Sequence, residues 1–172
     1  MSAPTHVVVM GVSGCGKSTL GAALATELGA EFGEADLFHP KANVDKMAAG
    51  HPLTDEDRWP WLDLLVDWMN KQRAAGHHTV VSCSALRKVY RDRLRRAGGG
   101  VVFVHLAGDK EVILGRMRAR QGHFMPPALL DSQYDTLEQL EPVERSLTLG
   151  ITNSHTDNLM LATVWVSSLG QE

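Results

Sequence analysis

The sequence predicts an α/β fold, a three-layer sandwich in which a five-stranded parallel sheet lies between two layers of helices. Short β-branched runs alternate with helical patterns along the chain. A glycine-rich segment at 11–18 connects the first run to the first helical pattern. The chain has 172 residues, 44% of them hydrophobic, which is enough to bury one core. We therefore expect a single domain over residues 1–172.

Five short apolar runs are the predicted strands. Four of them have a clear β-branched pattern, and the run at 31–33 is weaker. The predicted strands are 6–10, 31–33, 79–82, 101–106 and 147–152.

Five segments with helical periodicity lie between or after these strands. The first has Leu20, Leu24 and Leu28 on one face and ends at Gly29, as helices often do. The predicted helices are 17–28, 54–76, 85–97, 110–120 and 158–169. Gly and Pro interrupt the pattern in 40–58 and 122–127, and we expect these two segments to be mobile.

Composition excludes several classes of function. A net charge of -3 without a basic tract gives no indication of a nucleic-acid partner. No apolar run approaches the roughly 20 residues of a membrane-spanning helix, so no membrane partner is expected. Cys15 and Cys83 are the only cysteines, and no charged-then-apolar leader opens the sequence. We therefore expect a cytoplasmic protein without a disulfide framework.

The segment 11–18 matches the phosphate-binding pattern G-x-x-x-x-G-K-[ST] through Gly11, Gly16, Lys17 and Ser18. Glycines let successive backbone N–H groups converge, and the following helix adds its positive end. The pattern predicts a P-loop nucleoside-triphosphate-hydrolase-like fold that binds ATP and Mg²⁺. Lys17 is expected at the β- and γ-phosphates and Ser18 at the Mg²⁺ ion. The residues expected to bind the nucleotide here are Gly11, Val12, Ser13, Gly14, Cys15, Gly16, Lys17, Ser18 and Thr19.

Two carboxylates, Glu34 and Asp36, follow the second strand. In an extended backbone, residues two apart point to the same side. The pair could therefore support the metal through water and orient a hydroxyl nucleophile, although a solvated strand end is the alternative. No carboxylate follows the strands at 79–82 and 101–106. Glu34 or Asp36 is therefore expected to support Mg²⁺, with Glu34 acting through water.

Several motifs, in order, resemble the gluconokinase family, the small thermoresistant type among the shikimate-kinase-like P-loop kinases. The resemblance runs from about residue 7 to residue 144. Its motifs are GVSGCGKST at 11–19, DLFHP at 36–40, KANVDKMAAGHPLTDEDRWPWL at 41–62, CSALRKVYRD at 83–92, GRMRARQGHFM at 115–125 and SQYDTLE at 132–138. The chain departs from the family's usual residues at Ala35, Arg87 and Gln139.

The resemblance implies ATP-dependent phosphorylation of D-gluconate at its 6-hydroxyl, in a protein that is often a homodimer. Asp36 then matches the catalytic carboxylate near the acceptor hydroxyl, and His39 belongs to the same substrate motif. A kinase of another small acceptor such as shikimate, and a non-catalytic ATP-binding regulator, are the alternatives.

Gluconate is an anion, so its site needs a guanidinium group for the carboxylate. Motif position favours Arg58 and Arg91. Ordinary surface pairing is the alternative for both, with Asp55 or Glu56 in the first case and with Asp92 in the second.

A small lid is expected at about 116–135, after a substrate-binding segment at about 36–62. Arg116 and Arg120 are four residues apart and so share a helix face. Such a pair fits a lid that closes on ATP, with Arg120 stabilising charge on the transferred group, although it could be an ordinary basic helix end. His123 is expected to touch substrate or pack in the lid.

Overall fold

The computed structural model describes residues 4–119 and 127–171, and one five-stranded sheet forms its centre. The sheet order is β2-β3-β1-β4-β5, and every neighbouring pair is parallel. The strands are β1 His6–Met10, β2 Glu31–Glu34, β3 Thr79–Ser82, β4 Val101–Ala107 and β5 Ser146–Gly150. Parallel order places the carboxyl ends of all five strands along one edge.

Helices cover both faces of the sheet. On one face α1 packs against α7, and on the other α3 packs against α4. The helices are α1 Lys17–Leu28, α2 Lys41–Ala48, α3 Asp55–Ala74, α4 Lys88–Leu94, α5 Lys110–Ala119, α6 Pro127–Thr136 and α7 His155–Ser168. Across the described residues, no helix combines the length and apolar character needed to cross a bilayer.

The core has two halves, one on each side of the sheet, and β1 contributes to both. Val7 and Val9 face the half under α1 and α7, whereas Val8 and Met10 face the half under α3 and α4. All four side chains are at most 2% exposed. This alternation is the expected pattern for a central strand buried on both faces.

Most predicted elements are confirmed, with boundary shifts of one to three residues at several ends. β1, β3 and α1 have the predicted bounds, and Thr54 caps α3 by accepting a hydrogen bond from the Asp57 backbone. α4 is shorter than predicted, because the chain around Ala85 is not helical. α2 lies within 40–58, and α6 within the expected lid, so both of these segments contain helices that the pattern did not predict.

Two tryptophans of α3 pack against the end of β2. The Trp61 indole nitrogen donates to the Ala35 carbonyl at 2.8 Å. Trp68 lies over Gly33, where a β-carbon would approach its ring within 2.9 Å. α3 therefore packs closely on the end of β2, next to the segment that contains Glu34 and Asp36.

Arg91 on α4 is fully buried and forms an ion pair with Glu144. Its Nε donates to the Glu144 carboxylate at 2.8 Å, and both side chains are at most 1% exposed. Its Nη1 donates to the carbonyls of Ala85 at 2.9 Å and Leu86 at 3.1 Å. Arg95 donates to the same carboxylate. Arg91 thus fastens the loop after β3 to the segment before β5.

The expectation that Arg91 binds a substrate carboxylate is therefore wrong, because its guanidinium group is enclosed and bonded within the protein. The alternative of a surface pair with Asp92 is also wrong, since Asp92 accepts from Lys88 and Arg95 instead. Burial alone would raise the pKa of Glu144, but the hydrogen bonds it accepts outweigh burial and lower the pKa to about 2.

Removing one partner of this pair should destabilise the protein strongly. We expect Arg91→Met to lower the free energy of unfolding by about 3 to 5 kcal/mol, because it leaves Glu144 buried without its partner. Arg93→Met is the matched control on the same helix, since Arg93 pairs with Asp63 at the surface. That control should cost about 1 kcal/mol or less. Urea unfolding of both variants measures the difference, and equal losses would contradict the assignment.

Candidate active site

The phosphate loop connects β1 to α1 and depends on three glycines with positive φ. Gly11, Gly14 and Gly16 have φ of 151°, 80° and 95°. A β-carbon at Gly11 would lie 2.7 Å from the Cys15 sulfur and 2.8 Å from the Leu106 carbonyl oxygen. Both the backbone angle and the space at this position therefore require glycine.

The start of α1 has the features of an anion site. Gly16 caps the helix without a side chain, and the first turn holds no acidic residue. The first N–H groups of a helix have no acceptor within the helix, so they are directed at whatever lies before it. Lys17 stands at this end, partly buried, as do Ser18 and the more exposed Thr19. The structure thus brings the predicted phosphate-binding residues together around one helix end.

Gln133 on α6 binds the phosphate loop directly, a contact that the sequence did not predict. Its side-chain oxygen accepts from the Ser13 backbone N–H at 2.6 Å, and its nitrogen donates to the Ser13 hydroxyl at 3.0 Å. The two bonds use both ends of the amide. The position of Gln133 within the SQYDTLE motif was the one available signal.

Cys15 is a packing residue of the loop. Burial raises the pKa of its thiol, although the charge of Lys17 acts in the opposite direction. The side chain is 2% exposed and the thiol is free. A small side chain that fits the loop therefore explains this position.

Glu34 lies beside Ser18, as a shared role at a metal would require. The Ser18 hydroxyl donates to the Glu34 carboxylate, and the Ser82 hydroxyl donates to the same oxygen at 2.8 Å. Glu34 and Ser82 are register partners at the ends of β2 and β3. The carboxylate that the ends of β3 and β4 lack is thus supplied from the neighbouring strand.

Asp36 lies in a 3-10 turn, Ala35–Phe38, that follows β2 directly. The argument that Glu34 and Asp36 share one side of an extended strand is therefore wrong, because the strand ends at Glu34. Asp36 is exposed. Burial raises the pKa of Cys83 to about 12, and the charges of Lys17 and Asp36 act on that thiol in opposite directions. Asp36 is two residues beyond Glu34, which accepts from Ser18 beside Lys17, so the turn begins close to the phosphate loop.

His39 follows the turn that contains Asp36, and it packs on α3 one turn from Arg58. Burial lowers the pKa of His39, the Asp36 charge opposes this, and the Arg58 charge adds to it. The His39 ring stacks on Trp61 with a centroid distance of 4.1 Å. Arg58 donates to the Leu53 carbonyl at 2.7 Å and approaches Asp55 only to 3.9 Å. The predicted substrate residues Asp36, His39 and Arg58 thus share one surface.

The loop after β3 contains a strained residue. Ala85 has φ of 47°, the only positive value among the described residues other than glycine, and its side chain is 3% exposed. The Ser84 carbonyl accepts from the Gly11 N–H at 3.3 Å, so this loop contacts the phosphate loop. The Arg91 guanidinium group donates hydrogen bonds to the carbonyls of Ala85 and Leu86. These contacts fix the loop at the carboxyl edge of the sheet.

Arg116 lies near the end of the phosphate loop that leads into α1, and it donates to the Ile151 carbonyl. It lines a cavity of about 440 Å³ together with Cys15, Gly16 and residues 151–155 after β5. Arg120 and His123 fall outside the described residues, as does the middle of the expected lid.

Comparison with known proteins agrees with this geometry. The model of the AAA domain family matches residues 7–125. A gluconokinase of Gluconobacter oxydans (strain 621H) is 51% identical over 135 residues, which are 78% of this chain and 76% of that protein. Among solved structures, a sugar kinase from Janibacter sp. HTCC2649 has 50% identity and a TM-score of 0.89, with 95% of each chain covered. A gluconokinase from Sinorhizobium meliloti 1021 has 41% identity and a TM-score of 0.87, covering 99% of this chain and 96% of that one.

The strain at Ala85 predicts an unusual response to glycine. Ala85→Gly relieves a backbone cost of about 1 to 3 kcal/mol, whereas Ala25→Gly in α1 loses about 1 kcal/mol of helix propensity. Both alanines are 3% exposed, so the loss of a buried methyl group is similar. We expect Ala85→Gly to be more stable than Ala25→Gly by about 2 kcal/mol or more. Denaturant unfolding tests this, and an equal loss would mean that Ala85 is unstrained.

Proposed function

The chain belongs to the gluconokinase family, and we propose that it transfers the γ-phosphoryl group of ATP to the 6-hydroxyl of D-gluconate. The products are 6-phosphogluconate and ADP. The observation that carries this proposal is that the phosphate loop after β1 and the turn with Asp36 after β2 lie at one edge of the sheet, where Ser18 donates to Glu34. A phosphate site and an acceptor site therefore share one edge of the sheet.

The phosphate loop and α1 bind the nucleotide. Backbone N–H groups at the start of α1 and the Lys17 ammonium group neutralise charge on the transferred phosphoryl group. The cavity beside Arg116, after β5, would accommodate the adenine base, with Arg116 at its rim. Arg120 is the lid group proposed to stabilise the transferred charge.

Asp36 directs the acceptor hydroxyl. A carboxylate within hydrogen-bond reach orients the hydroxyl and accepts its proton as the oxygen attacks phosphorus. A new O6–P bond forms, the bond between the γ-phosphorus and the ADP oxygen breaks, and the proton moves to Asp36. His39, Arg58 and His123 are the further groups proposed to bind gluconate, with Arg58 at its carboxylate.

Ser18 and Glu34 fit a Mg²⁺ ion in their chemistry. Both offer oxygen atoms, and the described residues hold no cluster of three or more His, Cys, Asp or Glu side chains that would make an all-protein cage. Mg²⁺ characteristically keeps several waters and uses few protein ligands. When bound, the ion would supply positive charge between the β- and γ-phosphates. Ser18 would be its direct protein ligand, and Glu34 would act through water.

We further propose that the protein is a homodimer in the cytoplasm. The resemblance to the family supports the dimer. Two free buried cysteines support a reducing compartment.

ADP release should depend on gluconate. With Mg²⁺ and ATP, a coupled assay across gluconate, other aldonates, shikimate, AMP and no acceptor is expected to show turnover with gluconate far above the blank. The guanidinium and carboxylate groups around Asp36 suit an anionic polyol. Equal ADP release in every tube would contradict a kinase, and preference for shikimate would contradict the substrate.

Asp36→Asn should slow turnover by about 10²- to 10⁴-fold while leaving ATP binding intact, because an amide cannot accept the proton. Lys17→Ala is expected to impair both ATP binding and turnover. Asp45→Asn is the matched control, since Asp45 forms an exposed pair with Lys41 on α2. Steady-state kinetics and ATP titration measure the two effects. Unchanged turnover in Asp36→Asn would remove Asp36 from the mechanism.

A further inference from the structure

Arg87 stands beside Arg58 in a cluster that the sequence-based argument did not identify. Arg87 donates from Nη1 to Asp55 at 2.5 Å, and the Tyr90 hydroxyl donates to the other oxygen of Asp55 at 2.6 Å. The guanidinium carbons of Arg58 and Arg87 lie 5.3 Å and 5.6 Å from the centre of the Tyr90 ring. Two positive groups from different elements therefore meet at one tyrosine and one carboxylate.

This cluster lies at the acceptor side of the site. Arg58 is one turn before Trp61 on α3, and His39, three residues after Asp36, stacks on Trp61, so the cluster adjoins the segment with the proposed catalytic carboxylate. Arg87 caps α4 at the end of the loop that follows β3. That loop is held by the Arg91 hydrogen bonds to Ala85 and Leu86, the two residues before Arg87. Buried Arg91 thus fixes the position of partly exposed Arg87.

Charge and exposure suit an anionic ligand. The side chains of Arg58 and Arg87 are 29% and 38% exposed, whereas Arg91 is enclosed. Asp55 faces both guanidinium groups but approaches Arg58 only to 3.9 Å. Glu138 lies 3.4 Å from the Arg87 Nε and is half exposed. Within the described residues, no hydrogen bond involves Nη2 of either Arg58 or Arg87, and that edge of each group is suited to a carboxylate.

We propose that Arg87, together with Arg58, binds the carboxylate of the acceptor sugar acid. Asp55 and Tyr90 hold the two guanidinium groups in position before the substrate arrives. This inference rests on the proposed function. It gives Arg87 the carboxylate-binding role that motif position predicted for Arg91. It makes Arg87 a determinant of specificity for a sugar acid over the corresponding neutral polyol.

The test compares Arg87→Gln with the wild-type protein on gluconate. Loss of the charge-assisted contact from Arg87 Nη2 should raise KM for gluconate by about 10- to 100-fold, with kcat within about threefold and KM for ATP unchanged. Glucitol, the neutral hexitol with the same hydroxyl chain, should compete with gluconate equally weakly in both proteins. Arg87→Lys should recover most of the affinity, because it restores the charge.

Arg93→Gln is the matched control, since Arg93 lies on α4 and pairs with Asp63 rather than with Asp55 or Tyr90. Its KM for gluconate should remain at the wild-type value. If the wild-type protein releases no ADP in response to gluconate, the proposed function fails. If it does, and Arg87→Gln keeps the wild-type KM, only this inference fails.

A second measurement on the wild-type protein covers the case in which Arg87→Gln does not fold. The guanidinium Nε resonances of Arg58 and Arg87, assigned with lysine variants, are followed by NMR during titration. Gluconate should shift both resonances and glucitol neither. A shift of Arg58 alone would overturn the role of Arg87.

Discussion

The parallel order of all five strands is the constraint on which the site depends. It places the carboxyl ends of β1, β2 and β3 side by side, so three loops far apart in sequence meet at one edge. The phosphate loop follows β1, the turn Ala35–Phe38 with Asp36 follows β2, and the loop that leads to Arg87 follows β3. No antiparallel arrangement would bring these three segments to the same edge. The proposed nucleotide and acceptor sites are therefore neighbours because of topology.

Features encoded by local patterns could be predicted from the sequence. The phosphate loop was identified because its glycines and lysine recur at fixed spacing between a strand and a helix. β1, β3 and α1 were found because their periodicity is strong. α2 was missed because it has only eight residues and its single buried residue, Asn43, is polar. Asn43 instead donates to the Asp57 carbonyl at 2.9 Å, a contact between two elements that periodicity does not report.

The roles of the arginines depended on tertiary structure. Arg91 and Arg87 both occur in one short motif, and either could face a substrate by sequence alone. Burial separates them, because Glu144 closes over Arg91 from 53 residues further along the chain. An enclosed guanidinium group whose hydrogen bonds are made within the protein fixes a loop, whereas a partly exposed one can bind a ligand. Motif position therefore named Arg91, which is enclosed in the structure, and did not name Arg87, which is partly exposed.

Glu34 places a carboxylate beside Ser18, although no carboxylate follows β3. A hydroxyl group has one hydrogen and two lone pairs, so donation from Ser18 to Glu34 leaves the Ser18 lone pairs for a cation. Ser82, at the end of β3, donates to the same carboxylate oxygen and holds Glu34 across the strand pair. The carboxylate thereby orients the hydroxyl and adds negative charge nearby. In the proposed site, Glu34 and Ser82 on two adjacent strands would together take the place of a single acidic residue after β3.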